Sequence, residues 1–237
     1  MTMLPMRKNA SVCDDCGLCS FGQNSGESDA IDRIAREVVL QIRGGDGEEI
    51  PISAGVSARH AHVDDETLEI LFGAGHTLTP YRELYQPGAF AAEEVISVVG
   101  PRLRAIERVR ILGPSRDYNQ VELARTDAIY IGVDPPVRDS GDLRDAPPVT
   151  FIGPRGSVTV NAAIRATRHI HLRPSDVIDY GFHGRETVKV RVGGEKGVIY
   201  DNVRLKIDES YLPELHLDTD DANAADLVCG DTVFMIK

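Results

Sequence analysis

The sequence predicts a mainly β fold made of two similar halves, in which short strands lead into short helices. Three observations carry that expectation. A tetrad recurs, as Arg59-His60-Ala61-His62 and again as Arg168-His169-Ile170-His171. A wider frame recurs around it: a potential metal ligand, an apolar residue, two more positions and then a helix start. It begins at His62, Glu122, His171 and His216. Between the frames, Gly100-Pro101, Gly113-Pro114 and Gly153-Pro154 each stand beside a short apolar run, Val98-Val99, Ile111-Leu112 or Phe151-Ile152, which is the pattern of brief strands closed by turns.

Taken in chain order, residues 1–29 are polar and rich in Gly, Ser, Asp and Cys, with no strand or helix period. From Ala30 to Ile42 the apolar residues Ile31, Ile34, Ala35, Val38, Val39 and Ile42 fall three and four apart. That spacing predicts an amphipathic helix, packed on its own domain or offered to a partner. In the first frame Asp64 is placed to cap a helix; in the third, Pro174 stands at a favoured first-turn position. Three frames are expected to turn through glycine into new strands at Thr77-Leu78, Thr187-Val188 and Thr232-Val233. Asp134-Pro135-Pro136 and Ala146-Pro147-Pro148 bracket a polar loop holding Arg138, Asp139, Ser140, Gly141 and Asp142, and surface loops of this kind often carry binding groups.

The histidines carry the chemistry. Side chains of a strand alternate faces, so each His-x-His sets two imidazoles on one side, within reach of one ion. Imidazole nitrogen and carboxylate oxygen suit zinc and its neighbours. Six candidate ligands, His60, His62, Glu122, His169, His171 and His216, exceed one four-coordinate shell. They imply two ions, or one ion with catalytic histidines.

Composition narrows the class. A 237-residue chain with 42% apolar residues fits one large domain or two small ones. The net charge of −11 argues against a nucleic-acid surface. No apolar run is long enough to span a bilayer, and the N-terminus lacks the apolar core of a secretory signal; the expectation is a soluble, cytoplasmic protein. An anionic ligand would require a local basic patch. Arg102, Arg104, Arg108, Arg110 and Arg116 crowd one stretch that could supply it, or form a solvated β-ribbon. Cys13, Cys16 and Cys19 are spaced as metal ligands or as free thiols of a flexible tail.

These motifs together resemble the phosphate propanoyltransferase family, the phosphotransacylases of bacterial microcompartments of the propanediol-utilisation type. The resemblance runs from about Val38 to Lys237. It is carried by Ser57-Ala58-Arg59-His60-Ala61-His62, Gln86-Pro87-Gly88-Ala89-Phe90, Gly113-Pro114-Ser115-Arg116 with Gln120-Val121-Glu122, Val137-Arg138-Asp139-Ser140-Gly141, Thr167-Arg168-His169-Ile170-His171 and His216-Leu217-Asp218-Thr219-Asp220-Asp221-Ala222-Asn223-Ala224. It implies two similar β-barrels capped by short α-helices after a flexible N-terminal extension. The expected division is an extension over 1–29, a helix and first barrel over 30–148 and a second barrel over 149–237, with strands free to exchange between barrels.

The resemblance further implies two zinc ions per chain. His60, His62 and Glu122 would hold the first, whose remaining position meets the coenzyme A sulfur; His169, His171 and His216 would hold the second, open to water or phosphate. Arg116 matches the position that contacts phosphate, and Arg138 is a candidate for binding substrate or coenzyme, against a structural ion pair. The implied ligands are acyl-CoA, CoA, inorganic phosphate and acyl phosphate. The implied setting is a homo-oligomer, a dimer favoured, inside a microcompartment and near its shell or core proteins. Direct phosphate attack needs no covalent acyl-enzyme, and no Ser or Cys sits in a nucleophile motif. A zinc-dependent acyl-CoA hydrolase is the rival enzyme, separated by whether a phosphate-binding Arg stands beside the metals. A scaffold with structural zinc is the non-enzymatic rival, but structural sites are closed and four-coordinate, whereas these ligands divide three and three.

Overall fold

A computed structural model of the chain describes residues 49–237. The Cys13, Cys16 and Cys19 cluster and the helix expected over Ala30–Ile42 lie outside the described residues. The rest is mainly β, in two halves of related design.

One half is a closed six-stranded barrel. Its strands are β1 (Glu49–Ser57), β11 (His169–Leu172), β12 (Thr187–Val192), β13 (Val198–Ile207), β14 (Glu214–Asp218) and β15 (Thr232–Ile236), in the order β1-β14-β11-β13-β12-β15. Two short helices follow its histidine-bearing strands, α3 (Pro174–Asp179) after β11 and α4 (Thr219–Ala224) after β14. Ile52, Ile170, Val190, Val203, Leu215, Val233 and Met235 alternate inward and fill it.

The other half is a nine-stranded sheet curled into a half-barrel. It contains β2 (His60–His62), β3 (Pro80–Glu83), β4 (Phe90–Val99), β5 (Ala105–Gly113), β6 (Gln120–Glu122), β7 (Val137–Arg138), β8 (Pro148–Ile152), β9 (Ser157–Asn161) and β10 (Ala163–Ala166). The main path is β7-β10-β6-β2-β5-β4-β8-β9, with β3 beside β4. Helices α1 (Asp65–Phe72) and α2 (Arg125–Ile131) follow β2 and β6. Leu68, Leu71, Ile96, Val98, Ile111, Val121 and Phe151 form this core.

The two halves repeat the same pairing. β2 runs parallel to β5 and antiparallel to β6; β11 runs parallel to β13 and antiparallel to β14. The strand that leads into each His-x-His crosses to the other half. β1 lies parallel to β14, and β10 lies parallel to β6. The closed barrel therefore includes chain from both sides of the continuous stretch, 60–166, that forms the other half.

Local chemistry explains the element ends. Asp64 accepts from the Thr67 backbone N–H at 2.7 Å and caps α1, while Pro174 opens α3. The strands expected at Thr187 and Thr232 begin there. The one expected at Thr77-Leu78 does not form: the chain joins β4 only from Pro80. The Thr79 N–H is instead taken by the Glu94 carboxylate, at 3.0 and 3.2 Å, so it is unavailable to a ladder. Two Gly-Pro turns have a common cause. A Cβ on Gly100 would stand 2.4 Å from the Ile131 carbonyl oxygen, and one on Gly153 would stand 2.5 Å from that of Leu71. Two residues later, the N–H of Arg102 and of Arg155 donates to those same carbonyls at the ends of α2 and α1. Only glycine allows the turn so near a helix terminus.

Candidate active site

Strand pairing assembles two donor groups from the six predicted ligands. In the half-barrel His60 lies opposite Glu122; in the closed barrel His169 lies opposite His216. Because His62 and His171 share a face with their neighbours two residues back, two triads result, His60-His62-Glu122 and His169-His171-His216, each with ligand atoms within 4.8 Å of one another. The rings crowd: His60 and His62 centroids are 5.1 Å apart, and His171 and His216 centroids 4.4 Å.

Backbone carbonyls set the histidine tautomers. Nδ1–H of His60 donates to the Ala58 carbonyl at 2.9 Å, and Nδ1–H of His169 donates to the Thr167 carbonyl at 2.8 Å. A proton fixed on Nδ1 leaves a lone pair on Nε2, the form a metal ligand needs. Burial, reinforced by neighbouring imidazoles, holds His62 and His169 well below the usual histidine range and pushes His171 down to about 2. At neutral pH these rings are uncharged and ready to ligate. Nδ1 of His171 and Nε2 of His216 are buried and make no hydrogen bond among the described residues. Both orphaned nitrogens lie in the second triad, where they are costly unless a cation takes them up, and the first triad brings two imidazoles and a carboxylate equally close together. The residues present therefore fit divalent metal at both triads.

Both triads open on one cavity of about 650 Å³ between the halves. Arg116 and Lys206 line it, with Ser140, Gln86 and Tyr211. Arg116 leaves the end of β5, fixed by its N–H to the Val63 carbonyl at 3.0 Å, and its guanidinium contacts the Tyr118 hydroxyl and, at 3.4 Å, Ser140 Oγ. Gln120 spans 2.8 Å to both Glu122 Oε1 and Ser140 Oγ and accepts from Gly141 N–H at 2.7 Å, fastening the 139–141 loop to the first triad. Burial depresses the Lys206 ammonium pKa, partly offset by the charges of Asp139 and Glu122.

The other basic candidates go elsewhere. Arg138 is not on the cavity wall; its guanidinium lies 3.3 Å from Asp145 and 3.7 Å from Asp142. Nor do Arg102, Arg104, Arg108 and Arg110 form a patch there. Arg102 donates to the Ile129 carbonyl at 2.9 Å, Arg104 covers Tyr130, and Arg110 is buried beneath Tyr81 against the Ala92 carbonyl. Of that stretch Arg116 alone reaches the cavity among the described residues.

The phosphate propanoyltransferase family model matches residues 53–228, which include both triads and every cavity residue named above. Three proteins named phosphate propanoyltransferase match over nearly their whole length. That of Thermotoga maritima is 47% identical over 212 residues, 89% of this chain and 99% of its own. That of Lachnoclostridium phytofermentans is 41% identical, covering 89% and 100%, and that of Rhodopseudomonas palustris 37%, covering 89% and 98%. The chain belongs to the phosphate propanoyltransferase family.

For this family member, three cavity groups escaped the sequence reading. Lys206 and Glu214 reach the site only because β13 and β14 flank β11, pairing both residues with His171. Gln86, part of a recognised motif but given no role, donates to Glu214 Oε2 at 3.2 Å and to the Leu212 carbonyl at 3.1 Å. A charged residue on a strand, two or four positions before an inward ligand, was the available signal for Glu214. Lys206 left none. No helix among the described residues is long and apolar enough to cross a membrane.

Proposed function

We propose that the chain moves a short acyl group, propanoyl or acetyl, between coenzyme A and inorganic phosphate by direct attack, with one zinc ion at each triad. The observation that supports this reading is the meeting of two metal-binding triads and one cavity-facing guanidinium in a single cavity. Bound at the triads, zinc would supply Lewis acidity for the thioester and a partner for the departing sulfur.

The chain's own groups do the rest. Arg116 presents a guanidinium fork suited to phosphate oxygens, and Lys206 adds a second cation to the cavity wall. A chain of net charge −11 needs such a local exception to draw in anions. Ser140, tied to Gln120, limits where the anion can sit, so that a phosphate oxygen is held against the carbonyl carbon. The new C–O bond forms as the C–S bond breaks, and the proton given up by phosphate balances the thiolate. The assignment of His60, His62 and Glu122 to the sulfur side, and of His169, His171 and His216 to the phosphate side, belongs to this reading. So do a homodimeric state and a microcompartment setting with shell or core partners, which rest on the family resemblance alone. Arg138 is better read as the anchor of its own loop.

The test is Arg116→Ala. Losing a charge-assisted contact of about 2–3 kcal/mol should raise the phosphate requirement and slow transfer on the order of a hundredfold, with two ions still bound. Full phosphate-dependent turnover in that variant would move the phosphate site elsewhere. Acyl-CoA cleavage indifferent to phosphate would favour the hydrolase.

A further inference from the structure

The 139–141 loop is bonded toward both triads, and its three residues divide the task. Gly141 serves the first: its N–H donates to Gln120 Oε1 at 2.7 Å, and the Gln120 amide group in turn donates to Glu122 Oε1 at 2.8 Å. Asp139 serves the second. One of its carboxylate oxygens accepts from the Thr167 hydroxyl, and the other lies 3.0 Å from the Arg204 guanidinium. Thr167 is the residue whose carbonyl takes the Nδ1–H of His169, and Arg204 stands opposite His169 on β13. Ser140, between them, lines the cavity and meets Arg116 and Gln120.

The duplicated frame shows what Asp139 adds. Ala58 and Thr167 occupy equivalent places, two residues before the first histidine of each pair, and both carbonyls accept from that histidine's Nδ1. Of the two, only Thr167 has a hydroxyl, and Asp139 takes it. The Asp139 side chain is 33% exposed, so water alone could satisfy its charge. Its contacts therefore hold the loop in place rather than offset a buried carboxylate. What they hold is the seat of Ser140, and a shift of about 1 Å in a group that places a reactant can cost on the order of a hundredfold in rate.

We infer that Asp139 is a positioning residue for acyl transfer: by tying the 139–141 loop to Thr167 and Arg204 it fixes Ser140 beside Arg116, and so sets where phosphate sits relative to the two triads. The inference rests on the phosphate-transfer reading above. It is tested by steady-state CoA release with phosphate and acyl-CoA varied separately, and by elemental analysis of bound metal, comparing the unaltered chain with Asp139→Ala, Asp139→Asn and Thr167→Val. Asp139→Ala should raise the KM for phosphate about tenfold or more and lower kcat, with the KM for acyl-CoA and the metal content unchanged. Asp139→Asn should recover part of the loss, because its amide oxygen still accepts from Thr167, and Thr167→Val should reproduce part of it from the other side of the same bond. An unchanged phosphate KM in folded Asp139→Ala overturns the inference. So does an equal rise in both KM values, which would mean a general loosening of the cavity, and so does loss of metal, which would make Asp139 a support of the ligands. Failure of the underlying reading looks different: the unaltered protein would then release CoA without phosphate. Thermal unfolding checks that each variant is folded; should Asp139→Ala fail to fold, Thr167→Val decides by the same measurements.

Discussion

Arg116, on the loop after β5, and Arg138, in β7, are two guanidiniums separated by what each faces. Arg116 reaches the cavity, whereas Arg138 is held by Asp142 and Asp145 at the rim. Exposed pairs of this kind contribute about 0–1 kcal/mol, so Arg138→Ala should leave turnover within about threefold of the unaltered enzyme in a phosphate-dependent assay of CoA release. A hundredfold loss would return Arg138 to the coenzyme site. The ligands allow a sharper measurement. With two independent triads, purified protein should carry two divalent ions per chain by elemental analysis. His60→Ala with His62→Ala should remove one, and His169→Ala with His171→Ala the other; one ion lost with either pair would mean a single shared site. Four of the six donors were legible in the sequence because a strand writes its face in alternate residues, and Glu122 and His216 because the frame around them recurs. Lys206 was not, because what brings it in is its pairing with His171 across the sheet, and pairing partners leave no mark at a fixed spacing.

At the scale of elements, the arginine that opens each tetrad fastens a helix. Arg59 reaches Asp127 in α2 at 2.9 Å, and Arg168 grips Asp221 in α4 through two contacts, at 2.7 and 2.9 Å. Each aspartate lies five residues beyond the last ligand of its triad, Glu122 or His216. The clamp thus ties the turn before each His-x-His to the helix after the partner strand, holding the ligand strands in register. Arg168→Ala should lower stability by about 1–2 kcal/mol in urea denaturation of metal-free protein, the partial exposure of the pair keeping the figure modest. Arg59→Ala, which loses one contact, should cost less. Equal stability of Arg168→Ala and the unaltered chain would reduce the clamp to a surface pair. The repeated tetrad was visible in the sequence, but its arginine had no assigned task, because its partner lies 68 or 53 positions away. Helix starts were legible at Asp64 and Pro174, where the signal is local, and the strand start at Thr77 was misread because a side chain, Glu94, captures the backbone donor.

For the whole molecule, the exchange of β1 and β10 between halves makes the cavity walls depend on the fold of both, so the site and global stability answer to the same titrations. Fold class was legible from the duplication; which strand joins which half was not, since exchange leaves composition and periodicity unchanged. His62, His169 and His171 stay neutral in the folded chain, their pKa values depressed by burial, whereas in the unfolded chain each takes up a proton near the ordinary value of about 6.5. The unfolded state therefore binds more protons below that pH, and folding stability falls as pH is lowered. Each histidine contributes a slope approaching about 1.4 kcal/mol per pH unit. Three together should remove roughly 4 kcal/mol between pH 7.5 and pH 5.5, a large share of an ordinary domain's stability of about 5–15 kcal/mol. Urea midpoints of metal-free protein should be level above pH 7.5 and drop steeply below 6.5. The drop should shrink in His171→Asn, which cannot titrate. A midpoint unchanged down to pH 5.5 would show that these rings are protonated in the folded chain after all, and with that the ready-to-ligate state of the triads would be lost.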